Sequence, residues 1–335
     1  MKRIALFISA VFLAACAQDP IFMMISNEVE PKDPLISGSP SKLVKAGNDI
    51  YVANGKLWKY ASGGWSRAGG PSNVYDIAAA GTTLYMLSIK GSRFTVYKRN
   101  GTVDTPLPNS SGYGMIQGIY SDGSKLYAGG KNGSDSYALL EEQGGSLVPK
   151  RSIDDPLTGV AGDYYATAHG IYRINDGVLV GGSSSYSIAG IIRTMDNKTI
   201  AVSAGGTIFD ISGTNATTYN AGYNFTGALA EYKPVGGTRN LLLIGIKGGV
   251  YSMGYREMWF TGDGAFTLRS PGGSAQDSSI PIADYDKYSA TLAKCAVNSL
   301  LQADKGAAGR WPLIFASTQK NGLWSYRGGE WNAEE

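Results

Sequence analysis

His169 is the only histidine in the 335-residue chain. It stands in Ala168-His169-Gly170, a sequence suited to a turn between strands. A Ser-His-Asp relay would have to use it, and no Gly-x-Ser-x-Gly elbow accompanies it. A histidine-based zinc site needs several His or Cys ligands, and the chain offers only Cys16 and Cys295 beside His169. No phosphate-cradling Gly-x-x-x-x-Gly-Lys-Ser/Thr is present, and Gly129-Gly130-Lys131-Asn132-Gly133-Ser134 reads as a hairpin turn. Acid–base chemistry on a glycosidic bond would call on paired carboxylates. Asp154-Asp155, Glu141-Glu142 and Asp284-Tyr285-Asp286 are the candidates. The first two are expected in loops, as solvated charge. The third lacks the fuller Asp/Asn pattern of a calcium loop. These residue types predict no catalytic residue, no metal site and no cofactor, and they argue against an enzyme.

Cys16 is the one nucleophile with a legible context. Met1-Lys2-Arg3 is a cationic start, and Ile4 to Leu13 is an apolar run broken only by Ser9. That run has the length of a signal-peptide core and is too short to span a bilayer, which needs about 20 helical residues. Leu13-Ala14-Ala15-Cys16 then resembles the bacterial lipobox. The resemblance implies acylation of the Cys16 thiol and cleavage before it, so residues 1–15 are read as a lipoprotein signal peptide. Two or three acyl chains, at about 0.8 kcal/mol per buried CH₂, hold a protein on a membrane without a spanning helix. Ala17, rather than Asp, agrees with sorting to an outer membrane. With Cys16 acylated, Cys295 has no partner for an internal disulfide and is expected as a small buried residue.

The elements that follow must be inferred from composition and repetition. Residues 16–40 contain Pro20, Pro31, Pro34 and Pro40 and read as the lipidated N-terminus and a semi-extended spacer, with Ile21 to Ile25 as a candidate strand. Without Lys2 and Arg3, 28 basic residues face 27 acidic ones. That balance offers no field for nucleic acid. The 46 glycines and 21 tyrosines, with only 17% charged residues, suit many short strands joined by tight turns.

From residue 41 to 335 three short patterns recur. The first is an apolar pair: Ile50-Tyr51, Leu84-Tyr85, Leu126-Tyr127, Tyr164-Tyr165, Ile200-Ala201, Leu242-Leu243 and Leu313-Ile314. The second follows it and ends on an aromatic, usually after glycine: Leu57-Trp58, Phe94 to Tyr97, Ile171-Tyr172, Ile208-Phe209, Gly249-Val250-Tyr251 and Leu323-Trp324. The third precedes it and places a small residue two positions after an apolar one: Ile116-Gln117-Gly118, Leu157-Thr158-Gly159, Ile188-Ala189-Gly190 and Phe225-Thr226-Gly227. Tyr60-Ala61-Ser62-Gly63-Gly64-Trp65 also finds an echo in Tyr326-Arg327-Gly328-Gly329-Glu330-Trp331. A period of roughly 40 residues built from four short strands is that of a propeller blade. The small residue belongs on the inner strand, where strands crowd the axis. The fold expected is all-β, a β-propeller of seven four-stranded blades, with six or eight as alternatives. The last interval is long, which predicts a loop insertion near 270–290. Tyr288 to Val297 is open between a short helix and the inner strand of the last blade.

These repeats resemble those of regulator-type and sialidase-like propellers, in which a Gly-Leu-Trp or Gly-Val-Tyr strand recurs. The resemblance implies a fold and no particular activity. A Ser-x-Asp-x-Gly-x-Thr-Trp box is absent, and Thr261-Gly262-Asp263-Gly264 only faintly echoes it. Counting eight residues back from the apolar pair gives Lys42, Asp76 and Gly118, a position near the axis. Lys42 and Asp76 are therefore the candidate channel-facing pair. The expected role is a monomeric, lipid-anchored scaffold of the cell envelope, outer membrane favoured and periplasmic or surface-exposed, that binds an envelope protein. The alternatives are a surface lipoprotein binding a host molecule or glycan, and a polysaccharide hydrolase or lyase.

Overall fold

The computed structural model describes residues 35–335, apart from 110–111, 196, 222–223, 233–240, 248–254, 261–265, 269–294, 305–312, 328–329 and 335. Cys16, Ile21 to Ile25, Gly249 to Tyr251, Thr261 to Gly264, Asp284 to Asp286 and the expected insertion near 270–290 lie outside the described residues. Among the described residues, no helix is long and apolar enough to cross a membrane.

Among the described residues, twenty-eight strands form seven four-stranded antiparallel sheets, each made from one contiguous stretch of chain. The blades run over residues 43–67, 74–106, 115–153, 157–182, 188–220, 225–268 and 297–333. The first strand of each blade lies against the first strands of its two neighbours, and that of blade 7 meets that of blade 1. The chain is thus a seven-bladed β-propeller. Strands within a blade follow in simple order, so each inner strand begins at one end of the axis, here termed the entry face. The turn between second and third strands reaches the same face. The inner strand of blade 7 is Val297–Asp304, so of the stretch Tyr288 to Val297 only Val297 belongs to it, and residues 288–294 lie outside the described residues.

Apolar clusters fill both faces of blades 1 to 5, which explains the density of apolar pairs. Tyr85, Leu87 and Val96 of blade 2 pack on Ile116, Ile119 and Leu126 of blade 3. The same alternation fills the next interface with Tyr127, Leu139, Leu157 and Tyr165. A strand buried on both sides carries no polar face to fix its register, and here the pattern slips. Tyr127 and Tyr165 meet in one core from opposite blades, so they are not equivalent positions. Pairing of Gly118 with Gly129 and of Gly159 with Ala166 places Asp163-Tyr164, one residue earlier, at the place of Leu126-Tyr127.

The small residues of the inner strands answer to crowding. A Cβ built on Gly190 would lie 2.3 Å from the Gly227 carbonyl oxygen, and one on Gly227 would lie 2.1 Å from that of Ala189. Backbone, not a flexible side chain, occupies that space. Gly227 also has φ of 88°, in the left-handed region that side chains disfavour.

The ring closes without a shared blade. Instead, residues 35–40, expected as spacer, and Ser41 cross the entry face from the rim of blade 7 to the axis. The Leu35 amide donates to the Glu334 carbonyl at 2.6 Å, the Leu323 amide to Ile36 at 3.1 Å and the Gly322 amide to Gly38 at 2.8 Å. The Ile36 side chain is 1% exposed and lies in the core between blades 1 and 7. Phe315 of blade 7 meets Tyr60 and Trp65 of blade 1 at ring-centre distances of 4.9 and 5.1 Å. Tyr60 pairs with Trp65, and Tyr326 with Trp331, across equivalent hairpins, which accounts for the echo in the sequence. Ile36→Val should cost about 1 kcal/mol, read as a lower denaturation midpoint. No shift would mean that residues 35–41 do not hold the seam.

Candidate functional site at the axial mouth

Six of the seven inner strands are irregular at the same place. The register with the second strand jumps at Val74/Asp76, Ile116/Gly118, Leu157/Gly159, Ile188/Gly190, Phe225/Leu229 and Val297/Ser299. A bulge inserts one unpaired residue and re-aims its side chain. One residue is so displaced in five strands, Tyr75, Gln117, Thr158, Ala189 and Asn298; in blade 6 the jump from Phe225 to Leu229 takes in two extra residues, in the stretch that begins at Thr226. Ser41 takes the corresponding place in blade 1, next to Lys42.

Immediately after the bulge comes the position of Lys42, Asp76, Gly118, Gly159, Gly190 and Ser299. In blades 1 and 2 it carries charge, and the two side chains meet. Lys42 Nζ donates to Asp76 Oδ2 at 2.9 Å and to the Ile119 carbonyl at 2.7 Å. Asp76 accepts from the Ile77 amide at 2.9 Å and, through Oδ2, from the Ile119 amide at 3.0 Å. Lys42 Nζ also lies 3.8 Å from the centre of the Tyr120 ring, a cation–π contact. The Tyr120 hydroxyl donates to the Leu157 carbonyl at 3.1 Å. One polar network therefore ties the inner strands of blades 1 to 4. Burial opposes the charge on Lys42, and Asp76 and Tyr120 outweigh it, so the ammonium is held above its ordinary pKa. Burial raises the Tyr120 phenol.

Above this network the entry face opens into a recess of about 520 Å³. Its wall takes in Ser41, Lys42, Tyr75, Asp76, Gln117 and Tyr120 together with Asn54, Asn73 and Asn298. Tyr75 is 59% exposed. A second recess of about 420 Å³ lies between Thr226, Lys247, Cys295, Asn298, Gln319 and Lys320. Cys295 is half-buried, and burial raises its thiol against the pull of Lys320.

The other chemical candidates are scattered. His169 Nδ1 lies 3.1 Å from Asp155 Oδ1 in an exposed pair on blade 4. Glu141-Glu142 corrects the expectation of a solvated loop: both lie within the strand Tyr137–Gln143. As neighbours in a strand they point to opposite sides. Glu141, with 1% of its side chain exposed, bonds Lys125, Lys150 and Gln143 at 2.6, 3.0 and 3.0 Å. Glu142 faces Lys98 and Tyr85 at 3.2 and 3.3 Å. The two carboxylates therefore act as separate buried anchors. Among the described residues, no group of three or more His, Cys, Asp or Glu converges as metal ligands would. The bulge positions were invisible in the sequence as a set, because their residue types have nothing in common.

Comparison with known proteins completes this description. A chain of the mitotic checkpoint complex superposes with a TM-score of 0.60 at 10% identity, over 89% of this chain and 94% of that one. The WD40 β-propeller domain of Doa1 gives 0.51 at 10% identity, over 89% and 95%. At such identities the likeness concerns the fold alone. An uncharacterized lipoprotein of Treponema pallidum (strain Nichols) is 25% identical over 401 residues, with all of both chains covered. A second lipoprotein of that organism is 32% identical over 108 residues, 29% of this chain and 22% of that protein. The model of one lipoprotein family matches residues 2–178, more than half of the sequence and all of blades 1 to 3, so the chain belongs to the TP013X lipoprotein family.

Proposed function

We propose that this lipoprotein is a protein-binding scaffold of the cell envelope, anchored through acylated Cys16 on the outer membrane, and that its partner docks on the entry face. The observation that carries this reading is the bulged ring. The backbone repeats the same irregularity blade after blade, while the residue it presents changes from Tyr75 to Gln117, Thr158, Ala189, Thr226 and Asn298. A structural role would favour one residue type at each repeat. Diversity on a fixed frame is what recognition of an asymmetric partner requires. Tyr75 and Met115, 59% and 41% exposed at the start of neighbouring inner strands, are residue types enriched at protein interfaces.

The test uses the full lipidated chain in its own membranes. A photo-crosslinking residue at Met115, on the entry face, is expected to give a discrete adduct with an envelope protein. The same residue at Met195 should give none, because Met195 lies in the turn at the opposite end of the axis. Adducts of equal yield from both positions, or from neither, would remove the entry face as the docking surface. Cys16→Ser separates the contribution of the anchor from that of the face.

A further inference from the structure

The axial recess has features that docking of a protein surface does not call for. Two polar atoms in its wall, the Ser41 hydroxyl oxygen and Gln117 Oε1, are buried and have no hydrogen-bond partner among the described residues. Such orphans are uncommon in folded proteins, and each calls for an explanation. Gln117 is a bulge residue, and Ser41 holds the corresponding place in blade 1. Lys42 stands beside them with two acceptors, Asp76 and the Ile119 carbonyl. The remaining face of the ammonium lies over the Tyr120 ring, and the Lys42 side chain is 35% exposed, so a ligand hydroxyl in the recess can reach it.

The charges in the wall cancel. Among the described residues, Lys42 and Asp76 are the only ionised side chains that line it, and they are paired. An anionic ligand would find its cation already neutralised, and a cationic one would meet Lys42. A purely apolar ligand would strand the amides of Asn54, Asn73 and Gln117. What fits is a neutral molecule with many hydroxyls, each both donor and acceptor, and a C–H face to lay on an aromatic ring. Tyr75 supplies that ring at the rim. A volume of about 520 Å³ falls within the range of small-ligand sites and accommodates one or two sugar rings.

We propose that the axial recess is a binding site for a neutral saccharide, with Tyr75 as the stacking platform and Ser41, Gln117 and Lys42 as the hydrogen-bonding wall. The site goes beyond protein docking: it shares Tyr75 and Gln117 with the docking face and adds the recess, its paired charges and its two unpartnered polar atoms.

Saturation-transfer NMR on the full lipidated chain, in a detergent without a sugar headgroup, tests it. The probes are glucose, galactose, mannose and N-acetylglucosamine, each as monomer and as disaccharide. Transfer to the ring protons of at least one probe is expected. Tyr75→Ala should weaken that binding by at least about tenfold, or 1.4 kcal/mol. Gln117→Ala should weaken it too, and Val103→Ala, an exposed change on an outer strand of blade 2, should not. Absence of transfer to every probe overturns the proposal, and so does unchanged binding by Tyr75→Ala. Tyr75 is exposed, so its loss leaves the fold intact. Sugar binding without a crosslink at Met115 would refute the scaffold reading alone, and a crosslink without sugar binding would refute this site alone.

Discussion

Replacement of Asp76 by alanine should lower the stability of the propeller by about 3–5 kcal/mol, the range for breaking a buried ion pair from one side. The expectation rests on what the carboxylate holds. Asp76 is 6% exposed and accepts from Lys42 and from the amides of Ile77 and Ile119. Its removal strands two backbone donors near the axis, where each unpaired group costs about 1–3 kcal/mol. It also leaves the Lys42 ammonium with only the Ile119 carbonyl. Lys42→Met should cost less, because the Lys42 side chain is 35% exposed and Asp76 retains its two backbone donors. Chemical denaturation of the two variants checks the order. If Lys42→Met is the more damaging, the network is held by the cation and not by the carboxylate, and the account of blades 1 to 3 given above is wrong.

The second large effect is a dependence on pH centred on Glu141. Burial alone would raise its pKa. The hydrogen bonds from Lys125, Lys150 and Gln143 more than reverse this and hold it at about 2, below its ordinary 4.5. A group whose folded pKa is depressed contributes stability above its unfolded pKa and loses it as the pH falls toward the folded one. Glu141 thus contributes in full above about pH 5 and progressively less down to pH 2. At 1.36 kcal/mol per unit the shift corresponds to about 3 kcal/mol. Lys125 is more than half exposed, and solvent screening brings the expected figure nearer 2 kcal/mol. Glu141→Gln keeps the shape and removes the titration. The stability difference between the native chain and this variant should be largest near pH 6 and shrink toward pH 2. A difference that stays constant across that window would show that packing, and not charge, makes Glu141 important.

The two residues differ in how far the sequence disclosed them. Asp76 was found because propeller blades repeat: a count back from Leu84 lands on the inner strand, and the same count from Ile50 lands on Lys42. The repeat is legible because crowding at the axis and burial of both blade faces restrict the residue types. The same burial hid the register in blades 4, 5 and 7, where either of two apolar neighbours suits either face. Glu141 was misplaced for a related reason. Two adjacent glutamates look like a solvated loop, and nothing local tells that Lys125, from the bend before one neighbouring strand, and Lys150, from the other, arrive to neutralise one of them. The bulged ring was unreadable in principle. A bulge is a property of pairing between strands, and its six places hold tyrosine, glutamine, threonine, alanine, threonine and asparagine, with serine at the corresponding place of blade 1.

The seam between blades 1 and 7 has a consequence for how such a chain tolerates change. Every blade is one unbroken stretch, and the amide of Leu35 touches the carbonyl of Glu334. The two ends of the propeller are therefore neighbours, and the gap between them is an accident of where the chain was cut. A circular permutant that joins these ends and opens the loop between blades 3 and 4 would have the same sheets in the same order. With the Cys16 anchor proposed above, it would move the point where the tether joins the ring from blade 1 to blade 4, while the axial strands kept their order. The architecture thus leaves the point of attachment free, and the position of the seam sets it.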